Sequence, residues 1–330
     1  MSKEIISPGE LMEIVNAFRI SRIILSAFEL GIFSIIRDRP MTSEAISESL
    51  RMNPRSADRF LNALVSIGLL TKINGQFSNT AFSSRFLVKG KAEYLAGLSH
   101  NLHLWRTWST LTEAVRTGTS VAVEEPINER GEEWLTSFIA AMHSRGVPQS
   151  KEVADIMDFS DTTSILDIGG GSGAFAFEFI RRCKDARAVI LDLPAVIPIT
   201  EKYIMQSGLK EKVETISGDY LMDEFGSGYD LIFISAVIHI NSPEENELLI
   251  RKCFNAVKPG GQIVILDHIM NEDRTEPVAG AVFALNMLVG TKHGDTYTEN
   301  EVRRWMLDAG LKKIMRKGTV QGTSLMFGFR

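Results

Sequence analysis

The stretch Leu166–Phe175, LDIGGGSGAF, holds the residues of this chain with the clearest chemical meaning. An apolar, β-branched run precedes it and a helical pattern follows it. Glycine has no Cβ, so such a turn can be tight and can bring backbone N–H groups against a ligand. Two ligands suit the loop. Gly169, Gly171 and Ala174 fit G-x-G-x-x-G/A, the dinucleotide fingerprint. Asp192 then ends the next strand about 20 residues later, where the ribose of NAD would be held. Asp167, Gly169, Gly171 and Gly173 equally fit D-x-G-x-G-x-G, a loop that cradles S-adenosylmethionine (SAM). The loop alone leaves both open.

Three features downstream favour SAM. Asp219, within Ser217–Tyr220 (SGDY), comes just after the third strand, placed to accept the exocyclic amine of an adenine. Asp192 would accept both ribose hydroxyls through one carboxylate. The fourth strand ends in SAVIHI, followed by a helix and then KPGG, Lys258–Gly261. The competing reading of Asp192 and Asp219 is that strand-end aspartates cap the next helix. His239, in SAVIHI, falls at the carboxyl edge of the sheet, where open α/β folds build their sites.

Elements of two kinds must position these residues. SILDI, ARAVILD, KVETIS, YDLIFIS and GQIVILD are short apolar runs that alternate with the helical stretches Ala174–Lys184, Ala195–Ser207 and Glu244–Val257. Strands apolar on both faces imply a parallel sheet covered by helices, a doubly wound α/β domain over 158–330. KPGG predicts a sharp helix-to-strand turn. Residues 101–157 predict a helical connector rich in bulky groups, interrupted by a surface loop over 118–131. In the region 1–100, Leu11–Phe33 predicts a helix ended by Gly31, and Thr42 caps a short helix through Leu50. Asn53-Pro54 opens a third helix, with Phe60, Leu61, Leu64 and Val65 on one stripe and Gly68 as its stop. Asn74-Gly75 between two β-like runs predicts a two-residue hairpin. Helix, turn, helix, hairpin is the order of a winged helix-turn-helix.

Composition narrows the function. At roughly 150 residues per domain, 330 residues predict about two domains. The net charge of −5 argues against a general nucleic-acid binder, which carries a basic face. The third helix does carry Arg55 and Arg59, so a SAM-responsive DNA-binding protein is the alternative of a different class; Asp58 on the same helix weighs against it. No apolar run approaches the roughly 18 residues of a membrane span. The N-terminus has Glu4, Glu10 and Glu13 and lacks the pattern of a signal peptide. Cys183 and Cys253, both in stretches that read as amphipathic helices, form no CxxC pair. A reduced, cytoplasmic protein is expected. The six histidines show no metal spacing, and no metal is expected.

DIGGGSG, LDLPAVI, SGDY, KPGG and GDTYTENEVRRWMLDAGL occur in the order seen in one family. The chain resembles the class I SAM-dependent small-molecule O-methyltransferases, which include plant caffeate and flavonoid enzymes, hydroxyindole O-methyltransferase and bacterial natural-product enzymes. The resemblance implies a Rossmann-like catalytic domain and an N-terminal winged-helix dimerisation domain. It implies SAM as methyl donor and S-adenosylhomocysteine as product. Gly169, Gly171, Asp192, Asp219, Tyr220 and Ser235 would line the cofactor, with Ser235 standing where plant members have lysine. His239 would be the general base, since the enzyme must align an acceptor oxygen and remove its proton.

The family's carboxylate at the end of the fifth strand corresponds to Asp267, shorter than the usual glutamate. Ile240 stands in place of the usual aspartate, Asn241 of tryptophan and Thr296 of a second glutamate. Fewer carboxylates to orient His239 imply a relatively acidic hydroxyl as acceptor. The alternatives within enzymes are a carbon or nitrogen methyltransferase and a relative that binds SAM without transferring methyl. Phe138, Met142 and Met287 match positions that contact the acceptor, and methionine suits flat, irregular ligands, so an aromatic or polycyclic acceptor is expected. His143, His268 and His293 are second candidates for the base. Leu11–Phe33 and Trp105–Trp108 carry more large apolar groups than a small winged helix buries alone, which predicts a homodimer.

Overall fold

Side-chain caps set the helix boundaries near the N-terminus. In this computed structural model, residues 5–122, 131–183, 185–320 and 322–330 are described, and the chain divides into two units, Met1–His103 and Leu104–Arg330. Most of the loop expected over 118–131, and Lys184, lie outside the described residues.

The first unit opens with α1 (Pro8–Asn16), capped by Ser7, α2 (Phe18–Glu29) and α3 (Ile32–Ile36). A single helix was expected over Leu11–Phe33. The chain breaks it at Ala17, whose N–H reaches Ile14 O three residues back, a tighter turn than the α-helix continues. Gly31 at φ 74° then separates α2 from α3. β1 (Met41–Thr42) leads into α4 (Ser43–Ser49), with Thr42 Oγ1 accepting from Ala45 N–H. Asn53 caps α5 (Pro54–Ser66) in the same way. β2 (Leu70–Ile73) and β3 (Gln76–Asn79) form a hairpin through Asn74 and Gly75, at φ 50° and 78°. Both positive angles are what a type I′ turn needs. The three strands order as β1-β3-β2, and α6 (Ala81–Phe86) follows. Ile32, Phe33, Ile36, Ile46, Leu61, Leu64 and Phe77 form the core. α7 (Leu98–Trp108) contains the division point.

The second unit continues with α8 (Leu111–Thr117) and the long α9 (Glu132–Ile156). Then come β4 (Ser164–Ile168), α10 (Ala174–Arg182), β5 (Arg187–Asp192), α11 (Ile197–Ser207), β6 (Val213–Ser217) and β7 (Tyr229–Ser235). α12 (Pro243–Ala256), β8 (Val257–Asp267), α13 (Val278–Gly290), α14 (Glu299–Asp308), β9 (Lys312–Gly318) and β10 (Ser324–Phe329) complete it. The sheet order is β6-β5-β4-β7-β8-β10-β9. The first five strands are parallel, as expected. β10 and β9 are antiparallel additions that the sequence reading did not contain. Adjacent side chains along a strand go to opposite cores: Leu166, Ile232 and Ile263 to one, Ile165, Leu231 and Val264 to the other.

Two further expectations are corrected. KPGG is not a turn between helix and strand: β8 starts at Val257, and the register shifts opposite Tyr229–Leu231, with Gly260 at φ 83°. The extra backbone is absorbed as an irregularity inside the strand. Cys183 caps the end of α10 instead of lying within it, while Cys253 lies in α12. Both thiols are free and buried.

Candidate active site

Parallel strands bring the carboxyl ends of β4 through β8 to one edge, and the candidate residues lie there. The turn after β4 has no room for a side chain at Gly169 or Gly173. A Cβ on Gly169 (φ 65°) would lie 2.8 Å from Val237 Cγ2, and one on Gly173 (φ 80°) 2.7 Å from Ile190 Cδ1 and Phe177 Cζ. Gly171 N–H donates to Asp192 Oδ2 at 2.7 Å, and Leu193 N–H donates to Oδ1 at 2.8 Å. Burial pushes Asp192 up to about 6, against the pull of these two amides. Asp167 is wholly buried beneath the loop, and burial pushes it up to about 7 against the pull of the Ala176 amide. A glycine cradle with a strand-end carboxylate on its rim fits a bound nucleoside.

Beyond β6, Asp219 Oδ1 accepts from Leu221 N–H, and its own N–H donates to Asp223 Oδ2. These bonds shape a tight loop and leave Asp219 Oδ2 outside that turn. Lys252 Nζ donates to the carbonyls of Tyr220, Leu221 and Asp223. Burial raises the Tyr220 phenol, so it keeps its proton and donates a hydrogen bond to Asn241 Oδ1 at 2.8 Å. Ser235 is half-buried at the end of β7, opposite Leu266.

The chain leaves β7 through Ala236, whose φ of 56° is costly for a residue with a Cβ. That bend delivers His239 to Asp267 at the end of β8. His239 Nδ1 lies 2.9 Å from Asp267 Oδ1 and 3.0 Å from Oδ2. An ionised carboxylate only accepts, so Nδ1 carries the hydrogen and Nε2 is the nitrogen left to accept a proton. Burial alone would raise Asp267; the charge and hydrogen bond of His239, together with the His268 N–H and ring, outweigh it and hold the carboxyl below the usual range. Ile240 is exposed, and Thr296 is buried with its carbonyl accepting from Arg274 Nη1. The carboxylate paired with His239 is therefore Asp267's.

Phe283 on α13 stands edge-on to the His239 ring at 4.8 Å and tilts against His268 at 4.7 Å. Sequence reasoning missed it, although it lies one turn before Met287. His268 Nδ1 is buried without a partner, and burial lowers the pKa of that ring. His143 hydrogen-bonds Ser172 Oγ at 2.8 Å and packs on Tyr203, while His293 is exposed.

Of the expected acceptor residues, Met287 is buried on α13. Phe138 stacks on Trp134 at 5.1 Å and packs with Ile139, Val196 and Ile199, and Met142 is half-buried farther along α9. α9 borders the glycine loop: Ile139 Cδ1 lies 3.7 Å from where a Gly171 Cβ would be. Met287 thus shares a helix with the aromatic neighbour of His239, whereas Phe138 and Met142 are associated with the loop side. Among the described residues, no three His, Cys, Asp or Glu side chains group as metal ligands.

Gly294 shows how closely the histidine segment is held. Its N–H bonds Thr291 Oγ1, the following Asp295 N–H donates to His239 O at 3.1 Å, and a Cβ on Gly294 would overlap His239 O. Gly294→Ala should push the His239 backbone aside. A displacement of about 1 Å can cost up to about 100-fold in rate, so kcat is expected to fall on that scale while the fold persists. Steady-state kinetics beside a thermal melt checks this, and unchanged kcat would show that the contact does not constrain His239.

The profile of the O-methyltransferase domain matches residues 108–312, and that of the O-methyltransferase dimerisation domain matches residues 12–89. The chain is 28% identical over 312 residues to 3-hydroxy-5-methyl-1-naphthoate 3-O-methyltransferase of Streptomyces sahachiroi, covering 93% of this chain and 90% of that protein. An O-methyltransferase family protein from Burkholderia thailandensis superposes with a TM-score of 0.88 at 27% identity, over 99% of both chains. Human N-acetylserotonin methyltransferase, solved in complex with SAM, shares the fold with a TM-score of 0.83 at 24% identity, over 100% of this chain and 99% of that one.

Proposed function

Because this chain belongs to the O-methyltransferase family and is a SAM-dependent O-methyltransferase of small molecules, we propose specific roles for the residues at its sheet edge. Gly169 and Gly171 line the cofactor with their backbone. Asp192 takes the ribose hydroxyls, Asp219 and Tyr220 line the adenine end, and Ser235 also lines the cofactor. When bound, SAM supplies a methyl group already activated on a sulfonium. The chain must then hold an acceptor oxygen in line and accept its proton. His239 Nε2 accepts that proton. Asp267 keeps Nδ1–H in place and stabilises the imidazolium that results, without itself taking the proton. The observation that carries this reading is the His239–Asp267 pair at the carboxyl edge of the sheet.

The acceptor is a hydroxyl on an aromatic or polycyclic molecule. The Streptomyces relative is named for a hydroxynaphthoate, and Phe283 and Met287 offer flat and adaptable apolar contacts near His239. Phe138 and Met142 belong to the same acceptor region.

Calorimetric titration with SAM and with NAD tests the cofactor assignment. SAM is expected to bind and NAD not; NAD binding without a SAM signal would reverse the reading. Affinity also depends on pH with a definite sign. Asp192 must be ionised to accept two hydroxyls, and in the free protein it protonates at about 6. SAM affinity should therefore be full above pH 7 and weaken as pH falls through 6. An affinity flat from pH 7.5 to 5 would remove Asp192 from the ribose site.

The N-terminal unit carries the dimerisation domain, and Leu11, Ile14, Val15 and Phe18 on α1 and α2 are exposed. We read these as the surface of a two-fold homodimer. Light scattering should give twice the chain mass at micromolar concentration, and a stable monomer would contradict this. Among the described residues no helix is long and apolar enough to cross a membrane. The reading places the enzyme in the cytoplasm, with neither membrane nor nucleic acid as a partner.

A further inference from the structure

A chain of buried amides joins the loop that carries Tyr220 to the segment that carries His239. Tyr220 OH donates to Asn241 Oδ1 at 2.8 Å. Asn241 Nδ2 donates to Asn246 Oδ1 at 3.1 Å, and Asn246 Nδ2 donates to Ile238 O at 2.9 Å. Tyr297 OH closes the arrangement on Asn241 O at 2.5 Å. Asn241, Asn246 and Tyr297 are 3%, 0% and 2% exposed. The direction of the chain is dictated by donor and acceptor matching. Ile238 O can only accept, so Asn246 must turn its NH2 to it and its Oδ1 to Asn241. Asn241 must then present its own NH2 to Asn246 and its Oδ1 to Tyr220, which must donate. No member can reverse without leaving a buried polar group unpaired. The carbonyls on either side of His239 Cα, those of Ile238 and His239 itself, are fixed by Asn246 and by Asp295 N–H.

We propose that Asn241 is a positioning residue that couples the adenine end of the cofactor site, through Tyr220, to the placement of the His239 imidazole. The coupling rests on the cofactor and base assignments above. A nucleoside that settles the Tyr220 ring settles the phenol, and with it Asn241, Asn246 and the two peptides that aim His239. Asn241 makes this possible at a position where the resemblance leads one to expect tryptophan, whose indole can donate but offers no acceptor to the Tyr220 hydroxyl.

The test uses adenosine, which fills the ribose and adenine end and has no methionine group to approach the base. Protein labelled with 13C in its histidine rings is titrated with adenosine, and the His239 signal is assigned by its loss in His239→Ala. Saturating adenosine is expected to shift the His239 ring signal in the wild type. In Tyr220→Phe, which keeps the ring and loses only the donor, the His239 shift read at saturating adenosine should be lost, whatever the change in adenosine affinity. Asn241→Leu should give the same loss; if it fails to fold, Tyr220→Phe alone decides. Binding without a His239 shift in the wild type, or an equal shift in Tyr220→Phe, overturns the coupling and leaves the cofactor assignment standing. Failure of the wild type to bind either adenosine or SAM sinks the cofactor assignment, and the coupling with it.

Discussion

His239→Ala is expected to lower kcat by about 10²- to 10⁴-fold, the usual contribution of a general base, while the SAM dissociation constant stays within a few-fold of wild type. The two effects separate because the imidazole lies after β7, whereas the glycine loop and Asp192 lie after β4 and β5. His239→Ala also strands the buried Asp267 carboxylate. In the wild type the low Asp267 pKa contributes stability that is present above the unfolded value and lost as pH falls through the folded one. The variant forfeits that contribution, so its melt should be measured beside its kinetics. His239→Gln, which retains an N–H donor for Asp267, distinguishes loss of the base from loss of structure: its rate should be as low and its melt closer to wild type. Full activity in either variant would mean that positioning alone, or another group such as His268, accounts for the rate.

The second large effect is on binding. Asp192→Ala should raise the SAM dissociation constant by about 10- to 100-fold, because removing a buried acceptor from its partners costs about 1–3 kcal/mol. The cost has two sources in this fold. The ribose loses its carboxylate, and the Gly171 and Leu193 amides lose the acceptor that pins the loop. Asp192→Asn should not restore affinity fully, since an amide can offer its single oxygen to only one of the two N–H groups and turns a donor toward the other. kcat at saturating SAM should change much less than affinity. Titration of both variants at pH 7.5 checks this; wild-type affinity in Asp192→Ala would place the ribose elsewhere.

The parts of this architecture legible in the sequence are those dictated by local chemistry. Asn53-Pro54, Thr42 and Asn74-Gly75 mark their boundaries because a cap or a left-handed turn admits few residue types. β4, β5, β7 and β8 are largely apolar on both faces, and β6, though it exposes Glu214 at the sheet edge, keeps a β-branched run, so neither their number nor the placement of Asp192, Asp219 and His239 beyond their carboxyl ends needed the structure. β9 is different: KKIMRKG is the polar, charged pattern of an edge strand, and its pairing with β10 is decided by contacts distant in sequence. The break at Ala17 leaves no residue signal, since alanine favours the helix it interrupts. At the site, the departures at Ile240, Asn241 and Thr296 were visible, but their meaning was not. The sequence pointed to a histidine with fewer carboxylates, and the one that meets it, Asp267, presents both oxygens to His239 Nδ1, while Asn241 joins a buried amide chain. Phe283 was invisible for a simpler reason: on an almost wholly apolar helix, no periodicity distinguishes the side that meets His239.

Transfer of a 13C-labelled methyl from SAM to a panel of hydroxylated naphthoates and related polycyclic phenols tests the central claim most directly, with the product's carbon spectrum as the readout. The account predicts a labelled methoxy carbon in the wild-type product, formed in step with S-adenosylhomocysteine and nearly absent with His239→Ala. Label on carbon or nitrogen, or methoxy formation that His239→Ala leaves undiminished, would contradict it.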